Sequence, residues 1–133
     1  MEVKLEWQGD MEFDSFLPSG HSVKIDASPE SGGNDLGPRP MELMLNSVAG
    51  CTAIDVVLIL DKMDQNLQDF KVEIEGKRAE EHPRVYTHIH LKYILKGDLD
   101  EKKVKRAIDL SEEKYCSASN SLKAEITSEY VIE

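Results

Sequence analysis

Cysteine is scarce in this chain: Cys51 and Cys116 are the only two in 133 residues, and they do not form a Cys-x-x-Cys pair. That leaves no zinc template, which needs paired thiols at close spacing. The four histidines, His21, His82, His88 and His90, make up no metal-ligand pattern, and His88 and His90 read as side chains on the wet face of a strand. Positive charge is also in deficit. Sixteen Lys and Arg against 26 Asp and Glu leave a formal net charge of −10, which repels phosphate backbones and anionic lipid. The one basic cluster, Lys102-Lys103-Val104-Lys105-Arg106, is flanked by Asp100, Glu101 and Asp109, as on a solvated helix face. Neither nucleic acid nor membrane is expected as a partner. The uncharged run Leu43–Ile54 falls short of the ~20 apolar residues of a spanning helix. The opening Met1-Glu2-Val3-Lys4 lacks the basic-then-apolar order of a secretory signal, which predicts a cytoplasmic protein. Gly32-Gly33 has neither the strand before it nor the Lys-Ser/Thr after it that a phosphate loop needs. No cofactor is expected.

What is present suits one globular domain over residues 1–133, with 40% hydrophobic and 32% charged residues. Three short strand-like runs, Val3–Trp7, Glu12–Phe16 and Ser22–Ala27, are separated by turn signals at Gly9-Asp10 and Pro18-Ser19-Gly20. A loop rich in Ser, Gly, Asn and Pro follows to Pro38. From Met41 to Leu60 the chain is apolar nearly all round, which predicts a helix buried on most sides, with Pro40 at its first position. Gly50 within it suggests a kink or a close backbone approach. Phe70–Lys77 and Val85–Leu95 alternate as an antiparallel hairpin. Asp98 then reads as the N-cap of an amphipathic helix running to Lys114, with Val104, Ala107, Ile108, Ser111 and Tyr115 inward, and a last strand covers Ala124–Ile132. The class is α+β.

Among chemistry-bearing residues the cysteines are the most informative. Ser47, Cys51 and Asp55 are four apart and share one face of the long helix. A thiol in such a helix is most often an inert core residue, and Asp55, one turn on, disfavours a thiolate. Cys116 follows a helix and precedes a Ser-rich turn, where backbone N–H groups can point at sulfur.

Pro40-Met41-Glu42-Leu43 with Ala49-Gly50-Cys51, followed 65 positions later by Tyr115-Cys116-Ser117-Ala118-Ser119-Asn120, resembles the two cysteine motifs of the OsmC/Ohr family. The likeness spans almost the whole chain and is greatest to the short YhfA-like branch, through Gly50-Cys51-Thr52-Ala53-Ile54-Asp55 and Asp109-Leu110-Ser111-Glu112-Glu113-Lys114-Tyr115-Cys116. The resemblance implies curved antiparallel sheets around a long buried helix in an intertwined homodimer. It also implies reduction of organic hydroperoxides, with Cys51 peroxidatic, Cys116 resolving and a dithiol as reductant. The chain departs from the family at two points. The position of the family glutamate falls on Met41, with Glu42 beside it, and no arginine precedes Arg39. Arg39 and Glu42 are therefore the expected supporting residues. The alternatives are a non-catalytic protein that binds a small hydrophobic ligand, and a redox sensor.

Overall fold

The computed structural model describes every residue, Met1–Glu133, as two compact units, Met1–Met44 and Leu45–Glu133. The class is α+β, with two three-stranded sheets and one long helix.

In the first unit β1 (Lys4–Gly9), β2 (Glu12–Phe16) and β3 (Ser22–Ile25) form an antiparallel meander. Gly9 and Asp10 both take positive φ, which lets the first hairpin reverse within two residues. The loop after β3 is organised by Asp26. Its carboxylate accepts from the N–H groups of Ala27 at 2.7 Å and of Asn34 and Leu36 at 3.1 Å each. Burial pushes this carboxyl up, but the three N–H donors and the charge of Arg39 carry it below the usual range.

Helix α1 (Pro40–Lys62) opens with Pro40 at its first position, as expected. The Arg39 carbonyl accepts the first helical bond from Leu43, and the Arg39 N–H donates to the Glu42 carboxylate at 3.3 Å, one half of a capping box. The helix has 23 residues, and an 18-residue window within it has a mean hydropathy of 2.0, long and apolar enough by those measures to cross a bilayer. By length and composition the segment is thus not too short for a span, contrary to the expectation from its uncharged run Leu43–Ile54.

The second unit packs Val48, Val56 and Leu60 of α1 into a core with a sheet ordered β4 (Asn66–Arg78), β5 (Tyr86–Asp98), β6 (Glu125–Ile132). Strands β4 and β5 form the long antiparallel hairpin, whereas β6 runs parallel to β5. A parallel pair needs a crossover, here supplied by α2 (Glu101–Leu110), a π turn (Ser111–Tyr115) and α3 (Ser117–Asn120). Central strand β5 is covered on its inner face, where Ile89, Leu91, Tyr93 and Leu95 are fully buried with Val104 and Ala107 of α2. Gly97, at φ +144, is required at the end of β5, since a Cβ there would lie 2.3 Å from the Asn66 carbonyl.

Four local expectations are corrected. α1 buries only the stripe Val48, Thr52, Val56 and Leu60 within this chain, and Met44, Ile54, Val57 and Leu58 are exposed. Apolar composition all round does not say which face a single chain covers. Gly50 lies on the open side, and a Cβ there would meet nothing within 4 Å. The N-cap of α2 is Asp100, which accepts from the N–H groups of Lys102 and Lys103, because β5 continues to Asp98 and pairs it with Asn66. Tyr115 faces outward at 50% exposure, because the π turn rotates it off the α2 stripe.

Candidate active site

Cys51 lies midway along α1, partly exposed, with buried Thr52 after it and Asp55 one turn on. Thr52 reaches back to the carbonyls of Val48 at 3.2 Å and Ala49 at 3.1 Å. Asp55 accepts a hydrogen bond from the Ser111 hydroxyl at 3.0 Å. The polar stripe of α1 is thereby pinned to the first residue of the π turn, five positions before Cys116.

The π turn aims the second cysteine. The Cys116 N–H closes on the Ser111 carbonyl at 2.7 Å, a bond across five residues, and the extra residue in the turn brings Cys116 inward to 0% exposure. Cys116 then caps α3. Its Sγ accepts from the Ser119 N–H at 3.3 Å, and its carbonyl accepts from the Ser119 hydroxyl at 3.2 Å and from Asn120 Nδ2 at 2.8 Å.

Cys51 and Cys116 are both free thiols, and their side chains are near enough to act on one another electrostatically. Burial pushes the Cys116 thiol up. The hydroxyl and N–H of Ser119 pull it down, the neighbouring Cys51 pushes it up again, and the net direction is up. Cys116 is therefore a protonated thiol at neutral pH. The pair is asymmetric: Cys51 is partly exposed, and Cys116 is buried and neutral.

Beyond the pair lies a polar chain. The buried Tyr93 hydroxyl donates to Glu112 at 2.9 Å, and the other oxygen of Glu112 accepts from Ser128 at 3.1 Å. Burial raises Tyr93 well above its ordinary range, and the hydroxyl lies within electrostatic reach of Cys116. The sequence reading passed over Tyr93 and Glu112. One signal was available: a tyrosine on the core face of an alternating strand must find a partner for its hydroxyl.

Arg39 and Glu42 both lie in the Met1–Met44 unit. The Arg39 guanidinium donates to the Gly37 carbonyl at 2.9 Å and pairs with Asp35 at 2.7 Å, while Glu42 caps α1 through the Arg39 N–H. On β5, His88 and His90 both bond the Thr127 hydroxyl, at 3.1 Å and 2.7 Å, and His90 also reaches Glu129 at 3.0 Å. No group of three or more His, Cys, Asp or Glu is arranged to hold a metal ion.

A long helix carrying one thiol and a π turn bringing up a second define a small two-cysteine α+β class. The family model described as OsmC-like protein matches residues 32–131. Protein YhfA of Escherichia coli K12 is 43% identical over 120 residues, covering 90% of this chain and 87% of YhfA. The chain belongs to the OsmC-like protein family. A solved structure of a hypothetical protein from Aquifex aeolicus is 36% identical, with a TM-score of 0.83 over 99% of this chain and 96% of that one. The fold is shared with an organic hydroperoxide resistance protein of Legionella pneumophila, at TM-score 0.69 and 13% identity over 99% of this chain and 95% of that one.

Proposed function

We propose that this protein is a cytoplasmic thiol-dependent redox protein that reduces organic hydroperoxides through Cys51 and Cys116. The observation that carries the reading is the neighbouring pair of free thiols, one partly exposed and the other fully buried. The Cys51 thiolate attacks the outer oxygen of ROOH, the O–O bond breaks, and the alkoxide leaves and takes a proton to become ROH. Cys51 is then a sulfenic acid. Cys116 attacks its sulfur, a disulfide forms, and the hydroxyl leaves as water, before over-oxidation. A dithiol restores both thiols by exchange and is itself oxidised to a disulfide.

The same reading has the working form as a homodimer. Support comes from the open side of α1, where Ile54, Val57 and Leu58 are 64%, 45% and 53% exposed beside Gly50, whose missing side chain leaves room for a second backbone. A second copy of this chain is the occupant assigned to that face.

The test is steady-state consumption of cumene hydroperoxide with dithiothreitol as reductant. Wild type turns over, Cys51→Ser is inactive, and Cys116→Ser is left with a Cys51 sulfenic acid that dithiothreitol must reduce directly. Consumption equal to background in wild type would overturn the peroxidase assignment.

A further inference from the structure

The π turn has a weakness that its two ends correct. Ser111 and Cys116 are both 0% exposed, while Glu113, Lys114 and Tyr115 between them face solvent. A turn closed across five residues relaxes readily to the α register, and losing its extra residue would swing Cys116 by about 100° out of its buried place. We propose that Ser111 and Asp55 are positioning residues of the two-thiol couple, and that the bond between them sets how readily Cys51 and Cys116 join. This rests on the two-cysteine reading given above and deepens it.

Each link is a contact in the structure. Cys51 and Asp55 lie one turn apart on α1 and share a face. The half-buried Asp55 carboxylate accepts from the Ser111 hydroxyl at 3.0 Å, a charge-assisted bond. The Ser111 carbonyl accepts from the Cys116 N–H at 2.7 Å, and the Ser111 N–H donates to the carbonyls of Ala107 and Ile108 at the end of α2. One residue with every polar group engaged thus ties the helix of Cys51 to the backbone of Cys116. Glu112, the next residue, fastens the turn to the sheet through Tyr93 at 2.9 Å and Ser128 at 3.1 Å. A turn without the Ser111 hydroxyl therefore stays docked on the sheet and loses its side-chain tie to α1.

A disulfide fixes two backbones relative to one another. Whatever already fixes them in the dithiol leaves less freedom to be lost when the bond forms. The tie and the disulfide therefore favour each other by the same factor.

Equilibration of the intact protein in glutathione buffers tests this without peroxide. The two protein thiols give two electrons and two protons to oxidised glutathione, whose S–S bond breaks to two thiols as the Cys51–Cys116 bond forms. Acid quenching and mass spectrometry of the two forms give the equilibrium constant. Ser111→Ala should lower it about tenfold, the worth of one net hydrogen bond, which raises the potential by about 30 mV. Asp55→Ala should do the same, and the double variant should be no worse than either, since both remove one bond. Asp55→Asn keeps an acceptor oxygen, and because a neutral bond is about half as strong, the fall should be only about threefold. Asp26→Asn, which loosens the Met1–Met44 unit, should leave the constant unchanged. Wild-type constants in both alanine variants, or a fall in only one of them, would overturn the proposal. So would additive losses in the double variant or an equal fall in Asp26→Asn, since either would mark general loosening. A wild type that forms mixed disulfides with glutathione and no internal bond would overturn the two-cysteine reading itself.

Discussion

Oxidation of this protein should make it markedly more stable, by an amount that follows from the position of the two thiols. A Cys51–Cys116 bond closes a loop spanning 65 positions, and the chain-entropy relation assigns about 4 kcal/mol to a loop of that length. Against this stand the polar contacts that the two free thiols give up on oxidation, at most about 1 kcal/mol. The Ser119 N–H keeps an acceptor, because a disulfide sulfur still carries lone pairs. The net gain of about 3 kcal/mol corresponds to roughly 10 °C in melting temperature for a chain of this size. Circular dichroism melts of protein oxidised with diamide and reduced with a phosphine would read the difference, with the bond mapped by mass spectrometry first. The Cys116→Ser variant should melt at one temperature under both conditions. Equal or lower melting of the mapped, oxidised protein would refute the reasoning, since it would mean that the bond strains the π turn by as much as the loop closure stabilises.

Leu60→Ala, which empties a fully buried position on α1, should cost about 3 kcal/mol in urea unfolding, and a loss below about 1 kcal/mol would contradict the assigned core. Cys116 and Tyr93 are both raised in the fold, so their contributions are complete below the unfolded values of about 8.5 and 10 and fade as pH climbs past them. The urea midpoint should therefore fall above about pH 9, more shallowly in Cys116→Ser. Asp26 is depressed, so its contribution is present above about pH 4 and lost as pH drops through the folded value; Asp26→Asn should lower the midpoint at neutral pH and flatten that acid limb. Light scattering should give twice the 15.0 kDa chain mass, and Ile54→Lys with Leu58→Lys should halve it; a wild-type monomer at micromolar concentration would remove the second copy from α1.

Much of this fold was legible because its periodicities are strong. The alternation of Ile89, Leu91, Tyr93 and Leu95 announced β5, and all four are buried. The two cysteine motifs announced the family, and the chain belongs to it. Less legible was anything that depends on one extra residue or a distant partner. Helical periodicity placed Tyr115 inward, but a single π turn reversed the facing of Tyr115 and Cys116. Strand β6 was visible as a strand, but its parallel pairing with β5 depends on a crossover that no local pattern encodes. Glu112 looked like one more surface acid in a chain with 26 of them, and its partners lie 19 residues back at Tyr93 and 16 ahead at Ser128. Asp26 was hidden in the same way, since three backbone donors from a loop cannot be read from residue types.

The central claim is that Cys51 and Cys116 act as one two-electron couple, and peptide mapping after a single equivalent of cumene hydroperoxide tests it most directly. Reduced protein should lose both free thiols together, and digestion should yield one peptide pair joined through Cys51 and Cys116 within a single chain. In Cys116→Ser, a sulfenic acid on Cys51 should be trapped by a dione reagent. Both thiols intact after the peroxide is spent, or Cys51 oxidised while Cys116 stays free in wild type, would contradict it.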